Sequence, residues 1–404
     1  MARPSTLTID QSWTHLRISY CEDTTPTNDC PEYYAGDALN PSSISCGTLH
    51  PGTPPYYHYS NYKTIAEKDG SYWKLMNNGE TYSVINGGQI KTNGKTGVTL
   101  NFDSSGGKLH FTSNDTITVN TTGIVHVEGN SGTINTTSAS KFDLSAGSDI
   151  TITGLVSGNN EITLGGSNHI TTGSGNDHIT VNGSSSTVNA GDGTNVITVS
   201  GGSNKITTGA DSDDITIDGA SNTVDAGNGA NVITVSGNTN KITTGTDADH
   251  ITIDGASNTV NAGNGDNVIT VHGGSNKITT GADSDDITID GASNTVDAGN
   301  GADKITVSSG TNNSINGGDG NDSIEVTANS NTILGGAGED HVTIAGSSNT
   351  VDGGADADKI TVSSGTSNSI NGGDGNDSIE VNSNSNTILG GAGEDHVTIA
   401  GSSN

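Results

Sequence analysis

The sequence predicts an all-β protein: a parallel β-solenoid, or β-roll, of 18-residue turns, preceded by a small N-terminal domain or cap. Three observations predict it. A phrase of glycine, a polar residue, an acid or asparagine, then an aliphatic–threonine–aliphatic run recurs every 18 residues, at Gly173, Gly191, Gly209, Gly227, Gly245, Gly263, Gly281 and Gly299. After one-residue insertions it resumes at Gly318, Gly336 and Gly354, then at Gly373 and Gly391. The runs between glycines alternate with period two, as strands do, and no long helical pattern occurs. A fixed period of this length means stacked coils rather than a globule.

Composition fits a stack better than a conventional core. Glycine is 59 of 404 residues, aromatics are 3% and the formal net charge is -31. So few large apolar residues would leave an aperiodic chain disordered. Repeats can instead order by stacking on one another. The negative balance argues against nucleic acid or an anionic membrane as partner, and for cations. No apolar run reaches membrane-spanning length.

Residues 1–82 differ in character. All seven prolines fall between Pro4 and Pro55, and all nine tyrosines between Tyr20 and Tyr82, with Trp13, Trp73, Cys21, Cys30 and Cys46. This part reads as a separate cap or small domain. An odd cysteine count leaves at least one thiol unpaired within the chain. Cys21 and Cys30 could bridge in an oxidising compartment, or all three could stay unlinked. The opening Met1-Ala2-Arg3-Pro4-Ser5-Thr6-Leu7 has no apolar h-region, so no ordinary signal peptide is read there and export would need a route that leaves none.

Residues 83–165 read as irregular solenoid turns, from short runs such as Thr99-Leu100-Asn101-Phe102, Ile117-Thr118-Val119 and Ile150-Thr151-Ile152. Residues 166–404 read as the regular β-roll. Ile179 and Val181, Ile197 and Val199, Ile215 and Ile217 should point inward, facing Val188, Ile206 and Val224. That core is thin, so ladder hydrogen bonds and bound metal must supply the rest.

Each turn splits into two nines. The first is clearest at Gly317-Gly318-Asp319-Gly320-Asn321-Asp322-Ser323-Ile324-Glu325, and recurs at 335–343, 372–380 and 390–398. Glycines permit left-handed turns that expose carbonyls. Asp adds a hard anionic oxygen, and calcium takes about six to eight such oxygens in flexible geometry. One turn supplies half a site, and the next, stacked ~4.8 Å away, completes it.

These segments resemble the glycine-rich nonapeptide repeat of the RTX, or haemolysin-type calcium-binding, family through the pattern G-G-x-G-x-D. The resemblance covers roughly 166–404 and says nothing of 1–82. It implies a parallel β-roll with Ca²⁺ between successive turns, in a protein exported by type I secretion and folded outside the cell. The ligands it implies are Asp177, Asp213, Asp249, Asp285, Asp303, Gly318, Asp319, Gly320, Asp322, Gly336, Gly338, Asp340, Asp358, Gly373, Gly375, Asp377, Gly391, Gly393 and Asp395. An extracellular or host-cell surface is the further partner of such a module.

The departures from that pattern carry information. In the family both nines usually hold the calcium motif, whereas here the second reads Gly202-Ser203-Asn204-Lys205-Ile206 or Gly219-Ala220-Ser221-Asn222-Thr223-Val224, with no acid. Calcium is therefore expected along one edge only. The sixth position of that edge alternates from Asp177 through Asn195, Asp213, Asn231, Asp249 and Asn267 to Asp285, then is Asp from Asp303 onward. Asp211, Asp247, Asp283 and Asp356 replace the fourth-position glycine. They are expected in left-handed backbone, with a carboxylate that offsets the neighbouring asparagine. A decayed repeat with weak or empty sites is the alternative for 173–290.

The opposite edge carries its own column, Asn204, Asn222, Asn240, Asn258, Asn276, Asn294, Asn313, Asn331, Asn349, Asn368 and Asn386, with Ser186 as the exception. It is expected to form an amide-to-amide ladder. The outward row Thr180 to Thr306 is flat enough to suggest ice. Threonine is also an ordinary exposed strand residue, and Glu325 and Glu380 interrupt the row.

His178, His250, His341 and His396 are too far apart for one metal site and read as solvated. Neither H-E-x-x-H nor G-x-S-x-G occurs, so no catalytic motif is found. The sequence thus points to a secreted calcium-binding structural, adhesin or toxin repeat module. The alternative is a secreted enzyme with its catalytic part in 1–165 or in a missing segment. The chain stops mid-repeat at Gly401-Ser402-Ser403-Asn404, as a fragment would.

Overall fold

In the computed structural model, residues 71–404 are described except 86, 138–139 and 156–157, together with the backbone of strands Leu7–Asp10, Arg17–Cys21 and Tyr62–Asp69. The reading of the cysteines lies outside the described residues, as does most of the reading of 1–82. The chain divides into two compact units, Met1–Ser186 and Thr187–Asn404.

In the first unit the strands pair in parallel with their neighbours one coil away. Tyr82 lies opposite Leu100, Leu100 opposite Val119, Val125 opposite Phe142, and Phe142 opposite Ile162. Trp73 already stacks on Ile90, so parallel stacking takes in residues on both sides of position 82. Tyr62–Asp69 instead pairs antiparallel with Tyr72–Leu75 and with Arg17–Cys21. Trp73, Tyr82, Phe111 and Phe142 fill the core here, so coils of uneven length close over large rings.

The second unit is regular. Short strands such as Val196–Val199, Asp214–Ile217 and Val232–Val235 pair in parallel and in register, Ile197 on Ile215 on Ile233. Facing them, Lys205–Thr208 stacks on Thr223–Asp225, with Ile206 on Val224. Strand residues alternate between buried and accessible, because successive side chains leave opposite faces of the strand. The inward residues named above are all buried. Similar aliphatic side chains therefore stack every turn, and the fold needs only two or three of them per coil.

The one-residue insertions fall on the asparagine edge, beside Gly310 and Gly365, both left-handed. A glycine absorbs the extra residue in the loop. Thr295 still meets Ser314 and Thr350 meets Ser369 in register.

Candidate calcium edge

Each regular turn places its first six motif residues on one edge and the Ser-Asn loop on the other. From Gly299 onward the second and fourth positions are left-handed in every turn: Gly299 and Gly301, Gly318 and Gly320, Gly336 and Gly338, Gly354 and Asp356, Gly373 and Gly375, Gly391 and Gly393. Close stacking favours glycine at these places, Asp356 excepted. A Cβ on Gly336 would lie 1.9 Å from the Gly318 carbonyl oxygen, and one on Gly338 2.2 Å from that of Gly320.

The sixth-position carboxylates are buried, not displayed on the surface. Asp303, Asp322, Asp340, Asp358 and Asp377 are each no more than 2% exposed; Asp395 is half-buried and Asp319 exposed. In each, Oδ1 accepts the backbone N–H of the same position one turn earlier. Asp303 donates to Asp322 at 2.8 Å, Asp322 to Asp340 at 2.8 Å, Asp340 to Asp358 at 2.9 Å and Asp358 to Asp377 at 2.9 Å. Their Oδ2 atoms are buried with no hydrogen-bond partner. No ion pair among the described residues reaches this column.

Burial is the chief reason these acids titrate high. It pushes Asp303 and Asp340 up to about 7 and Asp358 to about 6, with neighbouring carboxylates adding to the shift. Asp322 and Asp377 are raised for the same first cause. Stacked buried carboxylates without counter-charge are costly unless protonated or bound to a cation.

The residues fit calcium. The orphaned Oδ2 atoms are hard anionic oxygens, and from Asp322 onward each sits in a space that a side chain at the first motif position would fill. A Cβ on Gly317 would lie 2.2 Å from Asp322 Oδ2, and one on Gly335 2.4 Å from Asp340 Oδ2. No group of three or more acidic, histidine or cysteine side chains converges among the described residues. Any site on this edge must therefore combine one or two carboxylates with backbone carbonyls, which suits calcium better than softer metals.

The alternating segment is built differently. Gly191 and Gly193, Gly227 and Gly229, Gly263 and Gly265 are left-handed, but these belong to the Asn turns. In the Asp turns, Asp211 and Asp247 do not adopt the left-handed backbone expected from the sequence; Asp283 and Asp356 do. The fourth-position carboxylates serve the backbone. Asp211 accepts the N–H of Gly193 at 2.8 Å, Asp247 that of Gly229 at 2.9 Å and Asp283 that of Gly265 at 3.0 Å.

Asp213, Asp249 and Asp285 are buried and raised, first by desolvation, and their Oδ2 atoms, like those of the later column, are buried with no hydrogen-bond partner. Each Oδ1 accepts the backbone N–H of the preceding asparagine, Asn195, Asn231 or Asn267, at 2.8 Å. The first-position Thr208 hydroxyl draws Asp213 back down, although its own 2.6 Å bond goes to the Ala226 carbonyl. Asp177 is held in the same way by Asn160.

The asparagine column on the opposite edge is real, but its bonds differ from those expected. Asn204 N–H donates to Asn222 Oδ1 at 2.8 Å, and Asn222 Nδ2 donates to the Gly201 carbonyl at 3.0 Å. The same pair of bonds recurs along the column. The amides thus bridge to backbone, since the N–H one turn away lies nearer than the next amide. A side-chain amide meets another at Asn386 and Asn404, 3.2 Å apart. Ser186 substitutes by accepting from Asn168 N–H at 3.1 Å. Sequence reasoning missed the residue before each asparagine, such as Ser203 or Ser221, which is left-handed without being glycine.

His178, His250, His341 and His396 are exposed, as read from the sequence. In the first unit, His126 Nδ1 lies 2.8 Å from Asp143 Oδ2, beside an open cavity of about 450 Å³ that Ser104 and Ser105 also line. No hydroxyl is hydrogen-bonded to His126 among the described residues. Nearby, Tyr72 donates to Glu128 at 2.6 Å and Lys108 pairs with it at 2.9 Å. These bonds push the Tyr72 hydroxyl up to about 12 and hold Glu128 below its usual range, which is the state of a surface clamp rather than of an acid or base set for neutral pH.

Three segments, 162–185, 307–342 and 362–397, match the RTX calcium-binding nonapeptide repeat (4 copies). Two overlapping segments, 199–249 and 217–274, match a family described as a protein of unknown function (DUF3060). No curated protein matches the chain. Among solved structures, the X-ray crystal structure of a hyperactive, Ca²⁺-dependent, β-helical antifreeze protein from an Antarctic bacterium is 24% identical, covering 66% of this chain and 79% of that one, with a TM-score of 0.40. The chain carries RTX-type repeats wound as a β-solenoid, and calcium is the ion these repeats bind. No helix of the described residues is long and apolar enough to cross a membrane.

Proposed function

We propose that this protein is a secreted repeat module, a stalk, adhesin or toxin segment, whose solenoid completes its folding when calcium enters the sixth-position edge. The observation that supports this reading is the buried column from Asp303 to Asp377, with its orphaned Oδ2 atoms and left-handed glycine pairs. The residues that would hold calcium are Asp303, Asp322, Asp340, Asp358, Asp377 and Asp395, with carbonyls of the neighbouring glycine turns. Calcium supplies the positive charge that lets these carboxylates stay ionised while buried. The protein's own part is to hold each carboxylate by its Oδ1 hydrogen bond and, from Gly317 onward, to keep the first position clear of side chains.

Such coupling suits export. A long acidic chain stays open where calcium is scarce and closes where it is plentiful. The ions are expected in a single row, because the opposite edge satisfies itself with asparagine. Circular dichroism in chelator, then at millimolar calcium, tests the reading. Gain of β-structure on adding calcium supports it, and an unchanged β spectrum in chelator overturns it. Magnesium should substitute poorly, because it resists dehydration and demands stricter geometry.

A further inference from the structure

Between Gly191 and Asp285, the sixth-position asparagines do more than break an acid column. Asn195 Nδ2 donates to three oxygens: the Gly193 carbonyl at 2.8 Å, the Gly191 carbonyl at 3.4 Å and Asp213 Oδ1 of the next turn at 2.9 Å. Asn267 Nδ2 reaches the Gly265 carbonyl at 2.8 Å and the Gly263 carbonyl at 3.5 Å, while its backbone N–H donates to Asp285 Oδ1 at 2.8 Å. Asn231 Nδ2 reaches the Gly229 carbonyl at 2.9 Å and the Asn228 carbonyl at 3.4 Å, while its backbone N–H donates to Asp249 Oδ1 at 2.8 Å. In the first unit, Asn160 Nδ2 joins the Gly158 carbonyl at 3.0 Å to Asp177 Oδ1 at 2.7 Å.

The oxygens gathered here come from the left-handed second and fourth positions and from the next turn's carboxylate. Those are the same motif places that stand ready for a cation in the acidic column. We propose that in residues 187–290 the asparagine amide takes the cation's place at alternate steps, so that this segment folds without calcium and offers a preformed edge on which the calcium-dependent turns after Gly299 assemble. The inference rests on the calcium reading given above for those later turns.

Three further observations agree. The first motif position carries a side chain in this segment, Ala190, Thr208, Ala226, Thr244 and Ala262, where the later turns keep glycine to make room beside Oδ2. The Asp turns at Asp213 and Asp249 lack the left-handed fourth residue. Between 186 and 306 no match to the calcium-binding repeat falls, and residues 199–274 match the other family instead. An amide donates two hydrogen bonds and carries no charge, so it can join carbonyls to a carboxylate without an ion. Solenoid stability is a sum of local turn and interface terms, so one segment can stay folded while its neighbour opens.

Hydrogen exchange read by mass spectrometry on the full chain tests this, in chelator and at millimolar calcium. In chelator, peptides from 187–290 should stay protected while those from 317–404 lose protection and regain it with calcium. Loss of protection in both segments would overturn the inference and leave the calcium reading standing. Protection retained in both would instead overturn the calcium reading.

The triple variant Asn195→Asp, Asn231→Asp, Asn267→Asp supplies a second measure. It keeps the Oδ1 acceptor and removes the amide donor. Protection of 187–290 in chelator should be lost in this variant. If the variant remains protected in chelator, the amides are not what closes these turns.

Discussion

Asp322 Oδ1 accepts the backbone N–H of Asp303, one turn earlier, at 2.8 Å, while Asp322 Oδ2 is buried with no partner. One carboxylate therefore has two jobs. Half of it belongs to the backbone ladder in any condition, and the other half needs a proton or a cation.

That division separates two substitutions at Asp340. Asp340→Asn keeps an acceptor for Asp322 N–H and should fold with less need of calcium. Asp340→Ala removes the acceptor as well, which leaves a buried N–H unsatisfied at a cost of about 1–3 kcal/mol. Asp340→Ala should also weaken calcium-induced folding more than Asp213→Ala does, because Asp213 is bonded by Asn195 from two atoms. Calorimetric calcium titration of the full-chain variants checks the order; equal affinities would contradict it.

The calcium-free protein should grow more stable as pH falls. Burial holds Asp303 and Asp340 up at about 7 and Asp358 at about 6, against ~3.9 for Asp in an unfolded chain. The folded state thus binds more protons between those values, and stability present below the lower one is lost as pH rises through the upper one. In chelator the urea midpoint should be higher at about pH 5 than at about pH 8. With calcium bound the carboxylates are held ionised, the folded values drop, and the trend should reverse.

Gly335→Ala and Gly336→Ala should differ in kind. At Gly336 the backbone is left-handed, with φ of 129°, and a Cβ would strike the Gly318 carbonyl oxygen. That change should cost about 1–3 kcal/mol of fold stability. At Gly335 the backbone is not left-handed, and the Cβ would meet the Gly353 carbonyl at 2.3 Å and Asp340 Oδ2 at 2.4 Å. Its larger effect should be on calcium affinity. Denaturation and calcium titration, run side by side on both variants, distinguish the two outcomes.

Asn258→Ala should destabilise the solenoid equally with and without calcium. Asn258 accepts from Asn240 N–H at 2.7 Å and donates to the Gly237 carbonyl at 3.0 Å, on the edge away from the acids. Losing both bonds in a buried place should cost about 1–3 kcal/mol for each group left unsatisfied. Urea unfolding in chelator and in calcium should show the same shift.

The period, the two edges and the inward aliphatic rows were fixed by the sequence alone, because in a stack each residue type repeats at the spacing of the coil. Ile197 over Ile215 over Ile233 follows from counting in eighteens. The acid column and its calcium chemistry were legible for the same reason. What counting could not reveal was which atom each polar side chain meets across the turn. Asparagine was read as pairing with asparagine, yet Asn222 Oδ1 takes the Asn204 N–H and its nitrogen takes a glycine carbonyl. Asp211 is expected from the sequence in left-handed backbone, yet it accepts the Gly193 N–H in another backbone state. Only the tertiary structure decides such matters, since a donor's partner lies about eighteen residues away and backbone angles at a turn are set by the carbonyl stacked against it.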